Sequence, residues 1–226
     1  MCGRYASTKN GSQLADVFDA EDDTGGALEP SWNVAPTDPV PIVRSAGRRS
    51  VAVARWGLKP LWAAKAKPFS MINARAETVA TSPAFAPSFA RRRCLIPADG
   101  WYEWVRDGRA RRPYYMTPAD SVPLAFAGLW SPWGPEGVLT CTIVTTAALG
   151  GLTAVHDRMP LVLSPGRWSS WLADDGDPVQ LLSPPTPEEI AAIEIRPVRP
   201  DVGNVRNNGP ELITPPPPRP VDATLF

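Results

Sequence analysis

Much of the chain divides into short runs rich in apolar residues, separated by polar and turn-forming ones. VPIVRS (Val40–Ser45), SVAVARWGL (Ser50–Leu58), LAFAGLW (Leu124–Trp130) and LTCTIVTT (Leu139–Thr146) read this way. RRCLIPADGWYEW (Arg92–Trp104), RPYYMT (Arg112–Thr117) and MPLVLS (Met159–Ser164) join them. Short runs of this length, bounded by turn signals, predict β-structure. Helical spacing is rarer and marks only Lys9–Ala20 and Pro165–Asp174. Over Pro185–Ile193, Thr186 followed by Pro187 predicts a helix start, since the hydroxyl can cap and the fixed proline φ suits the first turn. Many short strands with a few peripheral helices predict an α+β domain built around antiparallel sheet.

Composition supports that picture. Twenty-eight prolines in 226 residues leave few stretches in which a long helix could run. A hydrophobic content of 43% with 20% charged residues is that of a globular protein with a sizeable core. No apolar run is long enough to span a membrane, and no basic segment leads into an apolar one at the start. Cys2, Cys94 and Cys141 are an odd number without CxxC spacing, which argues for a reducing cytoplasm rather than a disulfide framework or zinc site. Neither a metal nor an organic cofactor is expected. Residues 1–213 are expected to form one domain, with a Pro-rich, disordered tail over 214–226.

Charge alone does not decide the partner. Lys and Arg together number 23, as do Asp and Glu, and a balanced chain is an unpromising nucleic-acid binder. The basic residues are clustered, however, at Arg91–Arg93 and Arg106–Arg112, and local potential matters more than the total.

Candidate chemistry begins at MCGRYA (Met1–Ala6). If Met1 is removed, Cys2 carries a thiol and a free α-amine on adjacent carbons, with unperturbed pKa values of about 8.5 and about 7.7–8.0. In INARAET (Ile72–Thr78) a strand would place Asn73, Arg75 and Glu77 on one face. CLIPADGWYEW (Cys94–Trp104) turns at Asp99-Gly100 and then sets Glu103 among Trp101, Tyr102 and Trp104. Desolvation there would raise the carboxyl pKa and suit it to acid–base work. VHDRMPLVL (Val155–Leu163) holds the one histidine, His156, at a loop-to-strand boundary. GNVRNNGPEL (Gly203–Leu212) reads as a polar loop, and an ordinary turn explains it equally well. Each of these segments has a bland structural explanation, and spacing along the chain does not show that Cys2, Asn73, Glu103 and His156 meet.

Taken in order, MCGRYA, WNVAP (Trp32–Pro36), WGLKPLWA (Trp56–Ala63), INARAET, CLIPADGWYEW, HDRMPLVL and GNVRNNGPELI resemble the SOS-response-associated peptidase family, whose members are also described as abasic-site processing proteins. The resemblance runs from residue 2 to about residue 213 and implies a β-rich, barrel-like core with a groove for single-stranded DNA. It implies that Met1 is lost and that Cys2 captures the ring-opened aldehyde of an abasic site, first as a Schiff base and then as a thiazolidine. The catalytic positions implied are Cys2, Asn73, Glu103 and His156. Arg4, Arg75 and Arg158 would meet phosphates, and Pro36 and Trp62 would form an apolar wedge. Where family members can carry two adjacent tryptophans, only Trp62 is present, which implies a weaker grip on stacked bases. The expected partner is abasic single-stranded DNA, at junctions with duplex, bound by a monomer in the cytoplasm at the nucleoid.

Three other readings compete. A cysteine peptidase, with lyase or autoproteolytic activity, would use the same residues. A glutamine amidotransferase also starts at an N-terminal cysteine, but this chain has no room for a synthase domain. A non-catalytic nucleic-acid module would tolerate loss of Cys2.

Overall fold

A computed structural model of the chain describes residues 2–60, 71–108, 110–174 and 177–216. The elements are, in order, β1 (Tyr5–Ser7), α1 (Gly11–Phe18), β2 (Glu21–Asp22), β3 (Ser31–Val34), β4 (Pro39–Ser45), β5 (Arg49–Trp56) and β6 (Asn73–Arg75). After them come α2 (Ala86–Arg91), β7 (Arg93–Ala98), β8 (Gly100–Asp107), β9 (Ala110–Pro118), β10 (Leu124–Trp133) and β11 (Val138–Ala147). The chain continues with β12 (Arg158–Pro160), α3 (Pro165–Leu172), α4 (Pro187–Ala191) and β13 (Ile193–Pro197). Short 3-10 turns join several of the later elements.

Five strands close into a barrel in the order β11-β10-β7-β4-β5. Successive neighbours are antiparallel until β5 returns to β11, where Arg55 and Trp56 pair in parallel with Thr140 and Cys141. The expected antiparallel core is therefore sealed by one parallel seam. Parallel pairing needs a long crossover, and everything from β6 to β10 lies between these two strands.

Alternation decides which side chains fill the barrel. Val40, Ile42, Ala54, Trp56, Ile96 and Phe126 point inward, with Cys94 and Cys141 among them. Their neighbours Val43, Val51, Leu95, Ala127 and Val144 point outward against Leu14 and Phe18 of α1 and Trp168 and Trp171 of α3. Gly128 on β10 is required by this packing, since a Cβ there would lie 2.8 Å from the Ile96 side chain.

Arg93, the first residue of β7, is buried. Its Nε donates to the Trp171 carbonyl at 2.8 Å, its Nη1 to those of Phe89 and Ala90 at 2.7 and 2.9 Å, and its Nη2 to that of Ala173. One guanidinium thus satisfies the unpaired carbonyls at the C-terminal ends of α2 and α3. At least one arginine of the Arg91–Arg93 cluster is a helix staple and not a surface charge.

A second sheet, β13-β9-β8-β1-β3, lies beside the barrel. One face sends Tyr5, Trp101 and Met116 into the barrel core. The other carries Ala6, Tyr102 and Tyr115, packed against Val198, Val202 and Leu212. The polar loop after β13 has a structural role here. Asn33 of β3 is buried and donates its amide to the carbonyls of Asn204 and Asn207 at 3.0 and 2.8 Å. Asn208 accepts from the Trp32 N–H at 2.8 Å and donates to the Pro30 carbonyl at 3.2 Å. A side-chain amide thereby stands in for the neighbouring strand that the β3 edge lacks.

Candidate active site

Cys2 sits just before β1, and the register of β1 with β8 determines what faces it. Tyr5 pairs with Trp101 and Ala6 with Gly100, and the Tyr102 N–H donates to the Arg4 carbonyl at 3.0 Å. Continuing that ladder brings Glu103 level with Gly3, one residue from the cysteine. Along β8, alternation puts Glu103 on the face of Trp101, toward the barrel, and Tyr102 on the opposite face. Glu103 is buried, and burial raises its pKa, while the charge of His156 opposes the rise.

The Cys2 thiol is itself fully buried. Burial pushes its pKa upward, the carboxylate of Glu103 adds to that, and the Arg4 backbone N–H works against it. At neutral pH the sulfur is therefore a protonated thiol.

Asn73 reaches the same place from β6. It pairs with Ile143 along one edge of β11, and its Nδ2 donates to the Cys2 carbonyl at 2.8 Å. Its Oδ1, like the Tyr5 hydroxyl, is buried with no hydrogen-bond partner among the described residues. Buried amides are normally satisfied, so this oxygen is available to a donor that the site has yet to receive.

His156 lies on the other side of β11, in the segment that leads into β12. Its Nδ1 is 2.9 Å from the Arg158 N–H and 2.7 Å from an Asp157 carboxylate oxygen. These two contacts make opposite demands. A lone pair on Nδ1 accepts from Arg158 and leaves the proton on Nε2, whereas an imidazolium donates to Asp157.

Four segments distant in sequence therefore converge, with Cys2, Asn73 and Glu103 joined by a hydrogen bond and charge coupling and His156 joined to Glu103 by charge. The expected phosphate contacts differ among themselves. Arg75, at the end of β6, is exposed, and its guanidinium has no hydrogen-bond partner among the described residues. Arg158 is engaged by Glu77, with Nη1 to Oε1 at 2.6 Å and Nη2 to Oε2 at 3.0 Å. Arg4 is half-buried, and its Nη1 donates to Asn33 Oδ1 at 2.8 Å and to the Val202 carbonyl at 2.9 Å.

Pro36 begins a turn closed by the Asp38 N–H to the Ala35 carbonyl at 3.1 Å, with Thr37 held at a φ of 82°. Positive φ in a β-branched residue is uncommon and strained. The Thr37 N–H, bonded to the Trp56 carbonyl at 2.8 Å, secures the turn to β5. Trp62 lies outside the described residues, as does most of the Pro-rich tail. Sequence reasoning missed two contributors: Asn33, which braces Arg4, and Glu77 as the partner of Arg158. The WNVAP and INARAET motifs contain both residues, and only their partners were invisible.

A family model described as SOS response associated peptidase (SRAP) matches residues 1–205. The abasic site processing protein YoqW of Bacillus subtilis (strain 168) is 37% identical over 221 residues, covering 94% of this chain and 99% of that protein. The abasic site processing protein YedK of Escherichia coli (strain K12) is 36% identical over 233 residues, covering 95% of this chain and all of that one. A protein of Bacteroides thetaiotaomicron of solved structure shares the fold, with a TM-score of 0.84 at 24% identity, covering 95% of this chain and 100% of the other.

Proposed function

The chain belongs to the SOS response associated peptidase family, and from that membership we propose that it processes abasic sites in single-stranded DNA by capturing them covalently on Cys2. The observation that carries the proposal is the junction at residue 2. Asn73 fixes the Cys2 carbonyl while a buried carboxyl, Glu103, faces the thiol.

Loss of Met1 exposes the α-amine of Cys2. The amine attacks the open-chain aldehyde of the abasic sugar, a C–N bond forms, and the carbonyl oxygen departs as water to leave an imine. The thiol then adds to the imine carbon. A C–S bond forms, the thiol proton passes to nitrogen, and a five-membered thiazolidine closes with one water lost overall. Both nucleophiles belong to one residue, so closure gains from intramolecular proximity, for which effective molarities reach about 10⁵ M or more.

The electrostatics set the order of events. A thiol whose pKa is raised does not attack first; the amine does, and a base must then take the thiol proton. Glu103 is suited to that transfer and to protonating the departing oxygen, because burial has raised its proton affinity. Asn73 Oδ1 is free to accept from the new amine. His156, as its Nε2–H tautomer, would assist at the sugar hydroxyl or in reversal. Arg75 and Arg158 would meet the flanking phosphates, and Pro36 would abut the lesion, most usefully where duplex begins.

Cleavage of other polypeptides is the second reading, and an added peptide separates the two: a peptidase should cleave it, and a cross-linking protein should leave it intact. The deciding experiment is incubation with abasic single-stranded DNA followed by denaturing electrophoresis. A shifted band that survives denaturant is expected, and its absence with Met1 demonstrably removed overturns the proposal.

A further inference from the structure

Arg158 and Glu77 stand on opposite sides of the C-terminal end of β11. At Thr145 that strand is flanked by Arg75 of β6 on one edge and Pro160 of β12 on the other, and Arg158 lies opposite Ala147. Glu77, two residues beyond β6, reaches across to meet the guanidinium with both carboxylate oxygens, at 2.6 and 3.0 Å. Two parallel N–H to oxygen contacts are the geometry in which arginine also takes two oxygens of a phosphate.

The remaining donors of Arg158 are few. Nη2 also donates to the Thr145 carbonyl at 2.7 Å, and Nε is buried without a partner among the described residues. A phosphate therefore cannot engage the fork through both Nη atoms while Glu77 holds it. The two partners differ in freedom: the Arg158 side chain is 14% exposed and that of Glu77 52% exposed. Release of Glu77 into water would leave Arg158 still held by Thr145, and Arg75 is near enough for its charge to act on Glu77.

We propose that Glu77 is a resident substitute for DNA phosphate, occupying the Arg158 fork until a phosphate displaces it, so that undamaged single strands are gripped weakly. The inference rests on the reading of Arg158 as a phosphate contact. It makes Glu77 a positioning residue, acting on DNA only through Arg158, and the pair is a threshold that a strand must cross before Arg158 contributes. A strand fixed by covalent capture at Cys2 crosses that threshold more easily, because its neighbouring phosphate is already held close.

The test measures fluorescence anisotropy of a labelled, undamaged single strand against salt concentration. It compares the parent protein, Glu77→Gln, Arg158→Ala and the double variant. Glu77→Gln is expected to bind more tightly and to steepen the salt slope by about 0.7, one additional single-strand phosphate contact. A fourfold rise in salt then costs the variant about 2.6 times more affinity than it costs the parent. The gain should disappear in the double variant, because it acts through Arg158. Equal or weaker binding with an unchanged slope overturns the inference, as does a gain that persists without Arg158. A parent protein that binds no single strand at all, or a double variant whose slope stays equal to that of Glu77→Gln, instead removes the phosphate reading and this inference with it.

Discussion

Asn73 and Cys2 are joined by one hydrogen bond, Nδ2 to carbonyl oxygen at 2.8 Å, although β6 and β1 belong to different sheets. The bond fixes the peptide plane that follows residue 2, and with it the orientation of Cys2. Replacing Asn73 by alanine removes a net contribution of about 1 kcal/mol, so cross-linking to abasic single strands should slow about fivefold or more. Affinity for undamaged strands should hardly change. Single-turnover rates beside anisotropy binding curves separate the two effects, and a parallel loss of both would make Asn73 a binding residue.

Cys2→Ala should abolish the denaturant-stable adduct, and so should an uncleavable extension ahead of Cys2. Cys94→Ala and Cys141→Ala should leave the adduct intact and lower the melting temperature, since both thiols fill the barrel interior. Mass spectrometry of the adduct should show the loss of one water from the sum of protein and aldehyde.

Glu103 ties stability to pH in a definite direction. Its pKa is raised in the fold by burial, so the folded state holds that proton more tightly than the unfolded chain does. Its contribution is therefore favourable below the ordinary carboxylate range and is lost as pH rises through the raised value. Glu103→Gln should melt higher than the parent at about pH 8, and the gap should close toward about pH 4. The same variant should cross-link slowly at every pH and lose one limb of the pH–rate profile. A variant that is less stable at high pH would reverse the assignment of burial as the dominant influence.

Arg4 offers a contrast with the open Arg75. Its Nη1 is bound to Asn33 and to the Val202 carbonyl, so Arg4→Ala should cost about 1–3 kcal/mol of unfolding free energy. Arg75→Ala should cost little stability and should flatten the salt slope of single-strand binding by about 0.7. Denaturant titration and salt-dependent binding on the two variants give opposite patterns if this division is right.

Arg93→Ala should be among the most damaging single changes, because four helix-end carbonyls lose their donor at once. A loss of at least about 3 kcal/mol is expected, or roughly 6–12 °C in melting temperature for a domain of this size. Abasic-site chemistry in the surviving folded fraction should be normal.

The strands were legible as short apolar runs between turn residues, but Ile42 and Val43, both apolar, fill opposite sides of β4 and do not announce which one faces in. The start of α4 was equally plain, since Thr186 and Glu189 bond reciprocally to each other's backbone N–H. Barrel closure was not legible, because the parallel seam between β5 and β11 leaves no mark on either strand. Nor was α2 read from Ala86–Arg91, six residues that are too short for helical spacing to show and that carry Pro87 in their first turn. The site residues were named through family resemblance, and sequence alone could not bring them together. Glu77 shows the limit well. It was expected on a strand face, yet β6 ends at Arg75 and its partner lies across β11, where no periodicity reaches.

The amide of Asn33 and the loop from Asn204 to Asn208 have a consequence for synthesis. The segment that holds Cys2 leaves the ribosome first, but Val202, which accepts from Arg4, and the loop that braces Asn33 and closes the β3 edge leave near the end. At about 5–20 residues per second, β1 and β3 wait roughly ten to thirty-five seconds for that brace. During the interval the β3 edge and Arg4 lack the contacts that hold them in the finished fold. Ribosome-bound chains halted before Asn204 should therefore stay protease-sensitive ahead of α1, and chains extended well past Asn208 should not.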